Sequence, residues 1–257
     1  MTFTTNIWNY RHLIKKLAIS DFKLRYKNSV LGFFWSLLEP LLMLIVLYIV
    51  FTNFMRVQIE HYQLFLLMGI ISWNMLARGT AMSLNSILGK PSLIKKVYFP
   101  REVLIISSSI TALMMTLLEF IVFGIFMAVF AVMPGATIVY FPAIIFIEFL
   151  LVLGLSFALA SLNVFYRDIQ YIWTVVLQAG FFAAPIIYPV SIIPEKYVWI
   201  IQLNPMTSII EMLRGSVIYS TSPTIGDAGF IIASALVVLA SGYLIFLKLE
   251  SRFAEEM

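Results

Sequence analysis

The 257-residue sequence contains no cysteine, two histidines and three aspartates. Without thiols, disulfide frameworks, Cys-ligated zinc and thiol nucleophiles are excluded. His12 and His61 fall on opposite sides of the membrane in the topology derived below, so they share no metal, and a zinc hydrolase is excluded. Asp21, Asp168 and Asp227 are far apart in sequence, and none has a second carboxylate close by. That leaves no site for the metal and sugar nucleotide of a glycosyltransferase. No G-x-x-x-x-G-K-[ST] motif occurs; Gly89-Lys90-Pro91-Ser92 lacks both the preceding glycine and a hydroxyl directly after lysine. The chain is therefore expected to be no enzyme and to hold no cofactor or metal of its own.

Charge is scarce as well, at 12% of residues against about 25% in ordinary soluble domains. Hydrophobic residues make up 61%. Between Val103 and Met133, thirty-one residues include one ionisable side chain, Glu119. An apolar helix of about 20 residues crosses the hydrocarbon core of a bilayer, so the composition predicts an all-α membrane protein. Residues 1–257 read as a single transmembrane domain, with spans at 31–54, 62–88, 103–133, 141–165, 171–188 and 229–247. The third span is too long for one upright helix and should tilt, break or project. The fifth is short and carries Gly180 and Pro185, breakers tolerated where neighbouring groups satisfy the freed backbone.

Lys and Arg set the orientation. Arg11, Lys15, Lys16, Lys23, Arg25, Lys27, Lys90, Lys95, Lys96, Arg101, Arg167, Lys248 and Arg252 fall on one side, and Arg56, Lys196 and Arg214 on the other. Thirteen against three predicts that both termini are cytoplasmic. The net charge of +4 is then explained by anionic lipid headgroups and not by nucleic acid. About thirty mostly polar residues precede the first apolar run, unlike a cleaved secretory signal, so the N-terminus is expected to be retained. Within residues 1–29, Ile7, Tyr10, Ile14 and Leu17 recur at helical spacing opposite His12, Lys15, Lys16 and Lys23. That pattern fits an amphipathic helix in the cytoplasmic interface; a solvated basic tail is the plainer alternative. Asp21 and Arg25 fit the apolar arc poorly.

The external segment, 189–228, is cut by Pro189, Pro194, Pro205 and Pro223 and is too apolar for a free loop. Proline at the start of each piece predicts two short helices. They can serve as an aromatic anchor at headgroup level or as a lid over an exit. Within the spans lie Glu39, Arg78, Glu119 and Glu148, which are functional candidates by default or pair with one another inside the bundle. Aromatic residues, 15% of the chain, mostly face lipid or pack between helices, although their rings can also stack on sugars.

Five strings, in order, carry more information than periodicity: YKNSVLGFFWSLLEPL at 26–41, LNSILGKPSLIKKVYFPREV at 84–103, FYRDI at 165–169, PIIYP at 185–189 and NPMTSIIEMLR at 204–214. Together, over residues 8–250, they resemble the permease subunit of type-2 ABC exporters of lipid-linked polysaccharide, such as O-antigen, capsule and teichoic acid. The resemblance implies a six-helix permease in the cytoplasmic (inner) membrane that works as a homodimer. Two copies of a separate ATPase would bind ATP and Mg. It places coupling to that ATPase on Lys90, Pro91, Lys95, Lys96, Tyr98, Phe99, Pro100, Arg101, Arg167 and Asp168. It places the path on the first, second and fifth spans, with Phe34, Trp35, Trp173 and Tyr188 as lining. An exit gate falls on Tyr197, Trp199, Asn204, Pro205 and Arg214. A proton-coupled secondary transporter, motivated by Glu119, a transferase acting on lipid-linked sugars and a type-2 exporter of small molecules are the alternatives.

Overall fold

The computed structural model describes residues 3–27, 29–32, 34–54, 59–91 and 99–253, and side chains for all of these except 3–7 and 54. Lys95, Lys96 and Tyr98 lie outside the described residues. The described chain is helical: α1 (Phe3–Arg25), α2 (Phe34–Ile49), α3 (Tyr62–Leu84), α4 (Glu102–Val129), α5 (Phe141–Phe165), α6 (Ile169–Ala183), α7 (Glu195–Gln202), α8 (Pro205–Val217) and α9 (Ile225–Glu250). Among the described residues, five segments are long and apolar enough to span a bilayer: Phe34–Asn53, Tyr62–Leu84, Glu102–Val129, Ala136–Phe165 and Ile225–Glu250. The protein is thus an all-α, multi-span membrane protein.

The sixth apolar helix, α6, has 15 residues, about 22 Å at 1.5 Å per residue, and is shorter than the expected 171–188 span. Ala184 precedes Pro185 and is extended, at φ −78° and ψ 148°, because the proline ring disfavours the helical region for its predecessor. The C-terminal end of this span is therefore non-helical. Tyr188 folds back on it, its hydroxyl donating to the carbonyls of Phe182 and Ala183, both at 3.1 Å.

The long third span does not break. α4 runs 28 residues, about 42 Å, and its Ser109 hydroxyl meets that of Ser83, near the end of α3, at 3.0 Å. Its first two turns consequently project beyond α3, where Val103, Leu104, Ile105 and Ile106 join Ile14, Phe99, Phe157, Phe246 and Phe253 in a second core. This projection changes the role of α1. Ile14 and Ala18 are buried, and the Thr111 hydroxyl donates to the Ala18 carbonyl at 3.2 Å, so α1 packs on α4 as well as presenting a polar face. Asp21, which fits the amphipathic pattern poorly, accepts from Lys90 Nζ at 2.6 Å and ties α1 to the end of α3.

Small residues let helices approach closely in membranes. At the contact of α5 with α9, a Cβ on Gly242 would collide with the Gly154 carbonyl, and one on Gly154 would meet the Leu239 nitrogen at 2.5 Å. The main core, at the other end of the bundle, gathers α3, α5 and α8 around Leu64, Leu67, Ile71, Leu151, Ile209 and Leu213.

Candidate functional site: a groove on α2, α3 and α6

Every described residue of α6 is at least partly exposed, and Tyr171, Ile172, Val175, Val176 and Phe182 stand outward. Most of α2 does likewise, with Leu42, Met43, Ile45, Val46 and Ile49 exposed. Between these two helices and α3 runs an apolar groove of about 760 Å³ whose walls include Met43, Val46, Ile70, Trp73, Leu177 and Phe181. Four polar side chains interrupt it: Glu39, Asn74, Thr174 and Gln178. Thr174 and Gln178 share one face of α6 at i, i+4 spacing. Polar groups at membrane depth are costly against lipid; they are stable where the face meets water or protein.

The groove continues into a smaller cavity of about 410 Å³, which shares Glu39, Asn74, Ala77 and Ala81 with it and adds Arg25, Arg78 and Asn85. Arg78 is buried, with its Nη2 2.7 Å from Glu119 and 3.6 Å from Glu39. Glu119 is fully buried while Glu39 is mostly exposed, so the strong partner is Glu119. Three of the four intramembrane charges therefore form one cluster. Glu148, also fully buried, accepts from the Ser72 hydroxyl at 2.8 Å.

Phe34, Trp35, Trp173 and Tyr188, the lining residues expected from sequence, are not among the residues that line this groove. Phe34 and Trp35 are exposed at the start of α2. Trp173 turns its indole nitrogen to the Thr80 hydroxyl at 2.8 Å and so braces α6 against α3. Tyr188 holds the broken end of α6, as described above. Asn74, Thr174 and Gln178 were not singled out from sequence; their signal was an uncharged polar side chain inside an apolar span.

At the opposite end of the bundle from the N-terminal core, α7 and α8 form the two short helices that the prolines foretell. Asn204 caps α8, its Oδ1 accepting from the Met206 amide at 3.0 Å, and Pro205 occupies the first turn. Tyr197 and Trp199 are exposed on α7. Arg214, although a charged residue of the external segment, is 1% exposed. Its Nε and Nη2 donate to the Phe65 carbonyl at 3.1 and 3.0 Å, Nη1 to Pro185 O at 2.6 Å, and Nη2 to Ile186 O at 2.8 Å. Glu211 takes another Nη1 bond at 3.0 Å, and the guanidinium lies 3.3 Å from the Phe65 ring centroid. Burial lowers its pKa to about 10, against the pull of Glu211, which leaves it charged at neutral pH. Tyr62 supplies the third donor to the break, at 2.8 Å from Ile187 O. The non-helical stretch after α6 thus has its carbonyls satisfied by two side chains.

On the cytoplasmic side of the predicted topology, the expected coupling residues divide. Phe99 is buried in the second core, and Arg101 donates to the Glu250 carbonyl at 2.6 Å with its guanidinium 5.7 Å from the Phe253 ring centroid. Lys90 is held by Asp21, as above, and Pro100 is half-buried. Pro91, Arg167 and Asp168 are exposed. Among the described residues no cluster of three or more metal-ligating side chains occurs.

A family model described as ABC-2 type transporter matches residues 12–218. The chain is 32% identical over 252 residues to a protein of Klebsiella pneumoniae named O-antigen export system permease protein RfbA, covering 96% of this chain and 97% of that one. A second Klebsiella pneumoniae protein of the same name is 33% identical over 257 residues, with 96% and 97% covered. One from Myxococcus xanthus is 29% identical over 253 residues, with 98% and 97% covered. The chain belongs to the ABC-2 type transporter family and is a multi-pass membrane permease.

Proposed function

We propose that this chain is the permease subunit of an ATP-driven exporter that moves a lipid-linked polysaccharide of the O-antigen type across the cytoplasmic membrane. The single observation that carries the reading is the apolar groove on α2, α3 and α6, interrupted by four polar side chains at membrane depth, on a face the protomer leaves open. Two protomers set with these faces together enclose a path with Glu39, Asn74, Thr174 and Gln178 inside it and apolar walls where the lipid anchor slides. Phe34 and Trp35 stand at its cytoplasmic entrance. The close match in length to relatives named as O-antigen export permeases supports the same substrate class. Both termini face the cytoplasm.

Two copies of a separate nucleotide-binding subunit carry ATP and Mg and supply the differential free energy that shifts the permease between closed and conducting states. Their contact falls on the Pro91–Arg101 connection and on Arg167 and Asp168. Pro91, Lys95, Lys96, Tyr98, Arg167 and Asp168 make the contact, while Phe99 and Arg101 pass it to α1, α4 and α9, against which they pack. At the outer end, Tyr197 and Trp199 on α7 form the moving face of a gate whose base is Asn204, Pro205 and Arg214. The pairing of Arg78 with Glu119 accounts for the charge that pointed most directly to proton coupling.

The test is to replace Lys95 and Lys96 with neutral residues and measure ATPase stimulation and partner binding. Both should fall together; full coupling in the double variant would overturn the contact. Gln178→Trp, which fills the groove, should stop export while leaving the ATPase bound. Export at the parental rate would remove the groove from the path.

A further inference from the structure

The side of α1 turned away from α4 carries an open hollow of about 620 Å³, lined among the described residues by 16–27. Lys16, Ser20, Lys23 and Lys27 lie along it, and their i, i+4, i+7, i+11 spacing sets them on one helical face. The turn after α1 continues that face, with the Tyr26 and Lys27 amides donating to the Lys23 and Leu24 carbonyls, both at 3.3 Å. Among the described residues no carboxylate lines the hollow, and none of the three lysines has an ion-pair partner. Asp21, the one acid of α1, is turned away to Lys90.

Three contacts fix the depth of this face. Asp21 meets Lys90 just past the end of α3, Ala18 meets Thr111 of α4, and Arg25 lines a cavity with Glu39 of α2 and Arg78 of α3. The hollow therefore sits where the spans end, at the level of lipid phosphates. Its walls include Ile19, Phe22 and Tyr26, and Leu24, Val30 and Leu31 beside it are exposed apolar side chains, Val30 completely so. A cationic stripe bordered by uncovered apolar groups matches a phosphate carried above acyl chains. An acidic protein surface would match the lysines but would have to cover Val30 and Leu31 at a depth where lipid already lies. The hollow shares no residue with the groove or with the cavity that extends it, so its occupant is a lipid of the bilayer and not the transported one.

We propose that this face of α1 is a binding site for an anionic membrane phospholipid. Lys16, Lys23 and Lys27 hold the phosphate, Ser20 donates a hydrogen bond to it, and the acyl chains lie along Leu24, Val30 and Leu31. A helix merely attracted to a charged membrane spreads that attraction over all its basic residues; a site confines it to these three. The inference is separate from the exporter reading and holds whatever the cargo.

The test uses the full chain, with whatever ATPase accompanies it, in nanodiscs of equal parts phosphatidylglycerol and phosphatidylcholine, with retained lipid counted by native mass spectrometry. Phosphatidylglycerol should be retained in preference. Glutamine at Lys16, Lys23 and Lys27 should lower the preference by about fivefold per lysine and about a hundredfold together, while arginine at the same three positions should keep it. Lys15→Gln, Lys248→Gln and Arg252→Gln combined, an equal loss of charge from the same side, should leave it unchanged. If the triple glutamine variant is not recovered, Lys27→Gln alone, in the turn beyond the helix, is read against the same fivefold. Equal loss in the two neutralised sets, or none in either, would overturn the site. So would preferential retention of an added polyprenyl phosphate, displacement of the lipid by soluble glycerol phosphate, or loss of the ATPase from the glutamine variant with phosphatidylglycerol still held.

Discussion

Replacing Arg214 with methionine should strip the outer end of the bundle of its main fastening. The side chain reaches from α8 to α3 and to the break after α6, and two of its acceptors, Pro185 O and Ile186 O, belong to that break. Methionine fills similar volume without donating, so both carbonyls lose these partners at a buried position, at about 1–3 kcal/mol each. Losing the desolvated cation over Phe65 adds about 2 kcal/mol. Glu211 is half-exposed and is rehydrated at little cost. The sum, about 5 kcal/mol, corresponds to a fall in unfolding midpoint of roughly 10–20 °C at about 2–4 °C per kcal/mol. Arg214→Lys keeps the charge but not the planar fork and should fall between the two. The assay is thermal unfolding of the purified permease followed by size-exclusion. A methionine variant within about 2 °C of the parent would refute the clamp.

Arg78→Leu should cost about 3–5 kcal/mol by leaving Glu119 buried without its counter-charge, and adding Glu119→Leu should recover most of that loss in the same unfolding assay. Gly242→Ala should prevent α9 from seating on α5 and abolish recovery of folded protein. Gly229→Ala, on the same helix with nothing within 4 Å of a new Cβ, should leave recovery unchanged. Asp21→Asn should loosen α1 from the end of α3, seen as faster amide exchange over residues 8–27, and the charge-swapped pair Asp21→Lys with Lys90→Asp should restore protection.

Membrane residence, six apolar segments and the two short helices between the last two of them were legible because each rests on a local property: run length or proline position. Contacts between distant segments were not. Arg214 reads as an external surface charge until folding brings Phe65, Pro185 and Ile186 around it. The same holds for Asp21, which spoils an amphipathic arc in sequence and meets Lys90 in space. The expected fifth span runs five residues past the end of α6 because Ile186 and Ile187 are apolar enough to extend a hydropathy window, whereas Pro185 had already ended the helix. The resemblance placed a path on the first, second and fifth spans, the three whose helices bound the groove. The groove's polar residues were not legible, since Asn74, Thr174 and Gln178 carry no charge to draw attention within an apolar run.

Reconstitution of the chain into liposomes loaded with lipid-linked glycan, with and without its nucleotide-binding partner, tests the central claim most directly. Exported glycan is read by its exposure to a glycan-cleaving enzyme on the far side. Translocation should require both partner and ATP and be absent from the chain alone under an imposed proton gradient. Gradient-driven translocation by the chain alone would contradict the account.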